Sequence, residues 1–184
     1  MNMLASRGQL RASFIRWALF CVPLVVLLGV LAAALGNPNS AWLQTLSMPE
    51  GLPDPARFDL AWKGLCVVVG LALTLVASAW GARGRAVALW AFAVHFALSL
   101  AWLPTFFTAH QLTLGLGLLV LVDLTLLAVL VLFWTVRRAA ALLLLPYLAW
   151  VLFMTLLNYQ LLQLNPDADG AGDAGQIERV RIDV

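Results

Sequence analysis

The stretch LTLGLGLLVLVDLTLLAVLVLFWTV, residues 112–136, contains one ionisable side chain, Asp123. A helix needs around 20 consecutive apolar residues to cross a bilayer core of about 30 Å. The stretch shows no alternation of apolar and polar residues, the pattern of a half-buried strand. It therefore predicts a transmembrane helix.

Four more apolar runs of similar length occupy residues 14–36, 58–80, 86–107 and 139–164. The 184-residue chain is 63% hydrophobic and 11% charged, whereas soluble domains have roughly 45–50% and 25%. Because an unpaired backbone cannot cross a bilayer, only helices and closed barrels span it, and the absence of alternation favours helices. We predict an all-α membrane protein with a five-transmembrane-helix bundle over residues 14–164, a cytoplasmic arm at 1–13 and a disordered acidic tail at 165–184.

The first run has a second interpretation. Arg7 and Arg11 precede it, Arg16 lies at its start and three alanines, residues 32–34, lie near its end, which also resembles a secretory signal with a cleavage site. The run is longer than the usual 7–15 apolar residues of such a signal. We expect a retained helix.

Charge is distributed unevenly between the two sides of the predicted bundle. One side has seven arginines and no acid: Arg7, Arg11, Arg16, Arg83, Arg85, Arg137 and Arg138. Most of the acidic residues fall on the other side. By the positive-inside rule, the amino terminus is cytoplasmic and the carboxyl terminus lies outside, in a multi-pass protein of a bacterial cell membrane.

The formal net charge of +2 gives no indication of nucleic-acid binding. The basic residues are spread over helix ends, where anionic lipid accounts for them, so the lipid bilayer is the predicted partner. Cys21 and Cys66 lie inside different runs, where a buried thiol behaves as a small apolar residue. The two cysteines predict neither a disulfide framework nor a metal site.

The connection at residues 37–57 is the only long one, and its prolines oppose a regular helix in its second half. A long loop beside short ones can fold over the bundle as a lid. Trp42, Leu46 and Leu52 would give this lid apolar surface to bury. The polar, glycine-rich tail is assigned no site.

Four ordered motifs link this loop to the third and fifth runs. They are Trp42-x3-Leu46-x2-Pro49-x3-Pro53-x4-Phe58-x3-Trp62, Trp102-x-Pro104-x-Phe106-Phe107, Pro146-Tyr147-Leu148-Ala149-Trp150 and Leu157-Asn158-Tyr159. In these motifs the chain resembles the TspO/MBR family, the tryptophan-rich sensory proteins of bacteria and the translocator protein of mitochondria. The resemblance covers residues 14–165.

The resemblance implies a bundle, usually a homodimer, whose cavity is capped by the first loop and binds porphyrins and other hydrophobic molecules. Porphyrin or heme is then expected as a ligand and not as an obligatory cofactor. The task implied is transport or stress sensing. Two alternatives stay open: a weak light-dependent porphyrin-degrading enzyme, and a proton-coupled transporter that uses Asp123 and His95.

The chain departs from the family pattern at two places. His95 and Ser99 stand where many members have Gln and Asn. Tyr159 is followed by Gln160 and apolar residues and not by Lys or Arg, so the sterol motif of the animal proteins is incomplete. Sterol recognition by this weak motif is therefore not expected.

The third run has two distinct faces at 100° per residue. Ala93, Ala97 and Ala101 form a ridge of small residues, which permits close helix approach and predicts a dimer interface. His95, Ser99 and Trp102 lie on the opposite face. That face is predicted to line the cavity, together with Phe106.

His95 could ligate iron or relay a proton in such a cavity. The simpler interpretation is a neutral histidine bonded to a neighbouring helix. In the fifth run, Tyr147, Trp150, Met154 and Asn158 share one stripe. An amide within a span needs a partner and usually faces the bundle interior.

Lys63 and Asp123 are ionisable groups inside spans. Lys63 lies about 7.5 Å into its run, so its ammonium can reach the outer interface and meet the carboxylates of a porphyrin. Asp123 lies about 16 Å deep. It is predicted to make a hydrogen bond between helices or to form a polar cavity floor.

The complete set of predicted ligand-binding residues follows from these arguments. It is Trp42, Trp62, Lys63, His95, Ser99, Trp102, Phe106, Asp123, Tyr147, Trp150 and Asn158. No catalytic residue is assigned, because the chain has no nucleophile–base pair, Cys-x-x-Cys motif, phosphate-binding glycine loop or metal-ligand cluster.

Overall fold

The computed structural model describes residues 6–35, 41–49 and 55–170, all in helices or short connections. The helices are α1 (Arg7–Leu35), α2 (Ala41–Thr45), α3 (Pro55–Ala77), α4 (Arg85–Leu103), α5 (Leu112–Val136), α6 (Arg138–Leu143) and α7 (Leu145–Leu164). A π-helical turn, Pro104–Thr108, follows α4, and a 3-10 turn, Pro166–Ala168, follows α7.

Five segments of the described chain are long and apolar enough to cross a membrane. They are Gly8–Ala34, Ala56–Ala77, Arg85–Thr108, Leu112–Val136 and Arg138–Leu164. The predicted all-α, five-span fold is confirmed. The first helix begins earlier than predicted, at Arg7.

Two prolines shape the third and fifth spans. Helix α4 ends at Leu103, and the next turn is π-helical, with the Ala109 N–H donating to the Pro104 carbonyl at 2.9 Å. The predicted continuous run 139–164 is divided at Leu144, two residues before Pro146. Proline lacks an N–H and clashes with the preceding turn, so it favours a break or a new helix start at these two positions.

The helices close into a ring. Helix α1 packs along α3, α4 along α5 and α5 along α7, while α3 also packs on α6 and α1 contacts α4. Successive spans alternate in direction. We call the end of the bundle near Arg16, Arg85 and Arg138 the arginine end, and the opposite end, which carries α2, the lid end.

The contact between α1 and α3 depends on two glycines. A Cβ atom added at Gly70 would lie 2.7 Å from the Val22 Cα, and one at Gly29 would lie 2.6 Å from the Cys66 Sγ. Real Cβ atoms do not approach backbone so closely. Small residues let the two backbones approach, which is how helices gain packing energy in lipid.

Helix α5 contributes a continuous face to the interior. Its buried residues, spaced three or four apart, are Leu112, Gly115, Leu119, Val122, Leu126, Val129 and Phe133. Leu114 and Leu124, on other faces of the helix, are 63% and 60% exposed. The exposed leucines form the apolar surface that a lipid-facing helix requires.

The predicted disordered tail needs a correction at its start. Residues 165–170 are folded, with a 3-10 turn and hydrogen bonds to the lid end. Residues 171–184 lie outside the described part. In the first loop, Trp42 and Leu46 are 6% and 7% exposed, and Leu52 lies outside the described residues.

Candidate ligand-binding site at the lid end

Helix α2 covers the lid end with the side chain of Trp42. The indole stacks on the His110 ring at 4.4 Å between centroids and meets the Phe106 ring edge-on at 5.7 Å. Trp42 Nε1 is buried with no hydrogen-bond partner among the described residues. A buried donor of this kind is available to a ligand or a water molecule.

Beneath Trp42, a hydrogen-bonded amide joins three spans. The Trp102 indole stacks on Phe106 at 5.1 Å, and its Nε1 donates to the Asn158 Oδ1 at 3.4 Å. The Asn158 Nδ2 donates to the Leu112 carbonyl at 2.9 Å. Gly115 leaves room for this arrangement, since a Cβ there would lie 3.1 Å from the Asn158 Oδ1.

A second aromatic group lies between α3 and α7. The Trp62 and Trp150 rings stack at 6.5 Å, and Phe58 contacts Trp150 at 4.6 Å. Trp62 Nε1 donates to the Gly29 carbonyl of α1 at 3.3 Å. These indoles are half-buried, so they form a partly open aromatic wall near the lid end.

His95 is fully buried in the middle of the bundle. Its Nδ1 lies 3.1 Å from the Thr125 Oγ1, and its ring meets that of Tyr147 edge-on at 5.7 Å. Nε2 is buried with no partner in the described chain. A bond to a neighbouring helix, the simpler of the two interpretations of His95, is thus present through Thr125.

Asp123 is also bonded between helices. The Thr155 hydroxyl of α7 donates to its Oδ2 at 2.7 Å. The other carboxyl oxygen, Oδ1, is buried without a partner among the described residues. One oxygen of the carboxyl group is therefore hydrogen-bonded, and the other is available to a further hydrogen-bond partner.

The TspO/MBR family model matches residues 21–164, nearly the whole helical bundle. The chain belongs to the TspO/MBR family.

Its relatives include proteins of bacteria and of animals. Protein CrtK of Rhodobacter capsulatus is 35% identical over 134 residues, 72% of this chain and 83% of that protein. The tryptophan-rich protein TspO of Chlorobaculum tepidum is 32% identical over 148 residues, 79% and 94% of the two chains. The human translocator protein is 35% identical over 120 residues, 64% and 71%.

In this TspO/MBR chain, the predicted ligand-binding residues separate into distinct groups. Trp42, Trp102, Phe106 and Asn158 are in direct contact at the lid end, and Trp62 and Trp150 pair beside α1. Tyr147, 2% exposed, packs deeper with His95. The hydroxyl of Ser99 donates to the Phe96 carbonyl of its own helix at 2.8 Å.

Lys63 lies apart from these groups. Its ammonium pairs with the Asp59 carboxylate at 2.6 Å, one helical turn earlier, and both side chains are about half exposed. Such a pair contributes roughly 0.3–0.5 kcal/mol and opens readily. Contact between Lys63 and a ligand carboxylate stays a prediction.

The alanine ridge lies on the outer surface of α4. Ala93, Ala97 and Ala101 are exposed, whereas His95 and Trp102 of the same helix are buried. The two faces of this helix are therefore arranged as the sequence predicts. A dimer through the ridge stays a prediction.

Sequence reasoning missed Asn165, which joins the first loop to the fifth span. Its Oδ1 accepts the Ser47 N–H at 2.7 Å, and its Nδ2 donates to the Ser47 carbonyl at 3.0 Å and to the Leu161 carbonyl at 2.9 Å. Both backbone groups of one loop residue are thus satisfied by one amide. The only sequence signal was an Asn directly before Pro166, a common turn start.

The residues after Asn165 extend this connection across the lid end. Asp169 Oδ1 accepts the Thr113 N–H at the start of α5 at 3.1 Å, and the Gly170 N–H donates to the His110 carbonyl at 2.8 Å. His110 itself has a left-handed backbone, with φ of 55°, which is uncommon outside glycine but enriched in histidine. We call residues 165–170 the clasp.

Partial burial raises the pKa of the Asp169 carboxyl, but hydrogen bonds from the Thr113 side chain and from the backbone N–H groups of Thr113 and Leu112 outweigh it. The pKa of Asp169 is therefore below its usual value. An ionised carboxylate at the start of α5 is also favoured by the helix dipole.

Within residues 6–35, 41–49 and 55–170, no three His, Cys, Asp or Glu side chains are close enough to hold a metal ion. His95, whose Nε2 has no partner among the described residues, is a single potential metal ligand. What the described site offers chemically is aromatic surface, one bonded amide and isolated polar atoms.

Proposed function

We propose that the protein binds porphyrins and similar flat hydrophobic molecules in the lid half of its bundle, in the service of transport or stress sensing. The group of three rings above the buried amide of Asn158 carries this proposal: Trp102 stacks on Phe106, and Trp42 meets Phe106 edge-on. We call these three rings the aromatic stack. It places aromatic faces and a polar anchor at one depth, under a covering helix.

A macrocycle would gain free energy from such a site in two ways. Aromatic pairs contribute about 0.5–1.5 kcal/mol beyond the area they bury. Ligand pockets are typically apolar, with a few polar groups that fix orientation. Here Trp42 Nε1 and Asn158 are the polar groups within reach of the stack.

Phe106 is in contact with both indoles, so a flat ligand must part the rings. Helix α2 is five residues long and is held at Ser47 by Asn165. Displacing Trp42 from His110 would open the stack from the lid end. The Trp62–Trp150 wall, the buried His95 and Tyr147 and the half-buried Ser99 and Asp123 then form the sides and floor of the proposed site.

The names of relatives accord with this task, since they include a tryptophan-rich sensory protein of Cereibacter sphaeroides and the human translocator protein. For this chain we propose the same class of role in a bacterial cell membrane, as a homodimer joined through the alanine ridge. The arginine asymmetry supports an orientation with the amino terminus in the cytoplasm.

Titrating protoporphyrin IX into the detergent-solubilised protein tests the proposal. Tryptophan fluorescence should fall along a saturable curve that corresponds to one site per chain, because the indoles of the stack touch the ligand. The Trp90→Phe variant is the control, since Trp90 is 74% exposed on the outside of α4, and it should keep the same curve. Quenching that rises linearly without saturation would contradict the proposal.

A further inference from the structure

A cavity of about 460 Å³ opens at the arginine end, on the opposite end of the bundle from the proposed porphyrin site. Its lining residues are Ser13, Arg16, Trp17, Phe20 and Trp80. Four of these lie on α1 at positions i, i+3, i+4 and i+7 and therefore share one stripe of that helix. Trp80 comes from the turn after α3.

One wall of this cavity is held in place by Arg85. Its guanidinium donates two hydrogen bonds to the Ala77 carbonyl, at 3.0 and 2.7 Å, where α3 ends. It also lies 4.3 Å from the Trp80 ring centroid and 5.7 Å from that of Trp17. The centroids of the two indole rings are 6.1 Å apart. Arg85 therefore holds Trp17 and Trp80 in place, and its guanidinium is already occupied by these contacts.

Arg16 is the cation that remains available. Its Nε donates to the Ala12 carbonyl of its own helix at 3.3 Å. The one salt bridge among the described residues, Lys63–Asp59, is at the lid end. The sequence has no acidic residue within residues 1–49 or in the turn 81–85, so the positive charge at this end has no nearby carboxylate.

The polar groups among the lining residues can all donate hydrogen bonds: a guanidinium, a serine hydroxyl and indole N–H groups. Arginine and serine together are suited to phosphate oxygens. The cavity becomes apolar with depth. Phe20 is about 10 Å further along the helix than Ser13, and Phe20 and its neighbour Leu19 are 60% and 73% exposed.

We propose that this cavity is a binding site for an anionic phospholipid, with its phosphate on Arg16 and Ser13 and its acyl chain along Phe20. The hydrogen-bond donors at the mouth of the cavity favour a negatively charged headgroup, and Trp17 and Trp80 favour a position at the membrane–water interface. The volume of the cavity suits a headgroup with its glycerol and not a whole lipid, so the acyl chains remain in the bilayer. This site is independent of the porphyrin site.

Native mass spectrometry of the delipidated protein after addition of matched amounts of phosphatidylglycerol and phosphatidylcholine tests the proposal. The wild type should retain phosphatidylglycerol in preference. Arg16→Gln should reduce that retention about fivefold, because the variant loses the charge-assisted hydrogen bonds between the guanidinium and the phosphate. Ser13→Ala, a milder change at the same site, should reduce it less.

Arg11→Gln is the matched control, because Arg11 is an exposed arginine of the same helix that does not line the cavity. It should leave retention near the wild-type level. An equal loss in Arg11→Gln and Arg16→Gln, or equal retention of the two lipids, would overturn the proposal. Complete displacement by excess inorganic phosphate would assign the site to a free anion and overturn the lipid assignment.

Discussion

Asn158 shows how far one residue can be interpreted from sequence. An amide inside an apolar run must face the interior and find a partner, and the structure shows it 1% exposed and bonded on both sides. Its partners, Trp102 and Leu112, are 56 and 46 residues away along the chain. Periodicity gives the face of a helix but not the residues opposite it, so the pairing was not predictable.

Gly115→Ala tests the packing around this amide. The new Cβ would lie 3.1 Å from the Asn158 Oδ1, and the Trp102 bond, already 3.4 Å long, should be lost at a cost of about 1 kcal/mol. Gly117→Ala is the control, because its Cβ would meet nothing within 4 Å. The midpoint of thermal unfolding in detergent should be lower for Gly115→Ala than for Gly117→Ala. An equal midpoint for the two variants would contradict this account of Gly115.

At the scale of elements, the apolar runs predicted the spans, but the changes of course at Pro104 and at Leu144 were not predicted. The clasp was missed because composition averages over a segment. Glycine and acidic residues lower the expected order of a tail, whereas Asn165 and Asp169 form individual hydrogen bonds to loop and helix backbones. Such bonds depend on residues that are distant in the sequence, at the same end of the bundle, and leave no local pattern.

Asn165→Ala should loosen the first loop. The change removes both hydrogen bonds to Ser47, each with a net contribution of about 0.5–1.5 kcal/mol. Hydrogen exchange measured by mass spectrometry should therefore become about tenfold faster in a peptide covering residues 41–49, since 1.4 kcal/mol corresponds to a factor of ten. Gln163→Ala, at an exposed position of the same helix end, is the control. Unchanged exchange in Asn165→Ala would show that the loop is held by Trp42 alone.

The clasp should also weaken in acid. The pKa of Asp169 is lowered in the folded protein, so its carboxylate adds stability above its unfolded pKa of about 3.9, and this contribution is lost as pH falls through the lower folded value. The amide resonance of Thr113 should therefore shift below about pH 4. His110 and Asp167 are the other ionisable residues in or beside the clasp. Asp169→Asn should abolish the shift, and a shift that persists in that variant would contradict this account of Asp169.

At the scale of the whole molecule, hydropathy predicted five spans, but it could not give their order around the ring. Short turns predict that sequential helices run antiparallel, yet α3 packs on α6 of the fifth span as well as on α1. Which helices become neighbours depends on the shape of their surfaces, such as the close α1–α3 contact at Gly29 and Gly70. The charge asymmetry predicts the orientation in the bilayer.

Reporter fusions test this orientation. A cytoplasm-specific reporter joined after Arg83 should be active, and the same reporter joined after Asn165 should be inactive, because the arginine end is predicted to face the cytoplasm. The reverse pattern with an export-dependent reporter is the control. Activity of one reporter at both positions would contradict the proposed topology.

The central claim is that the aromatic stack of the lid end holds the ligand, and the affinity of Trp102→Ala for protoporphyrin IX tests it most directly. Measured from the porphyrin absorption band, the dissociation constant should rise at least fivefold, since lost stacking alone is worth about 1 kcal/mol. Trp102→Phe, which keeps an aromatic face, should lie between this variant and wild type, and Trp90→Ala on the outer surface should match wild type. Equal affinity in wild type, Trp102→Ala and Trp90→Ala would show that the ligand does not bind against this stack.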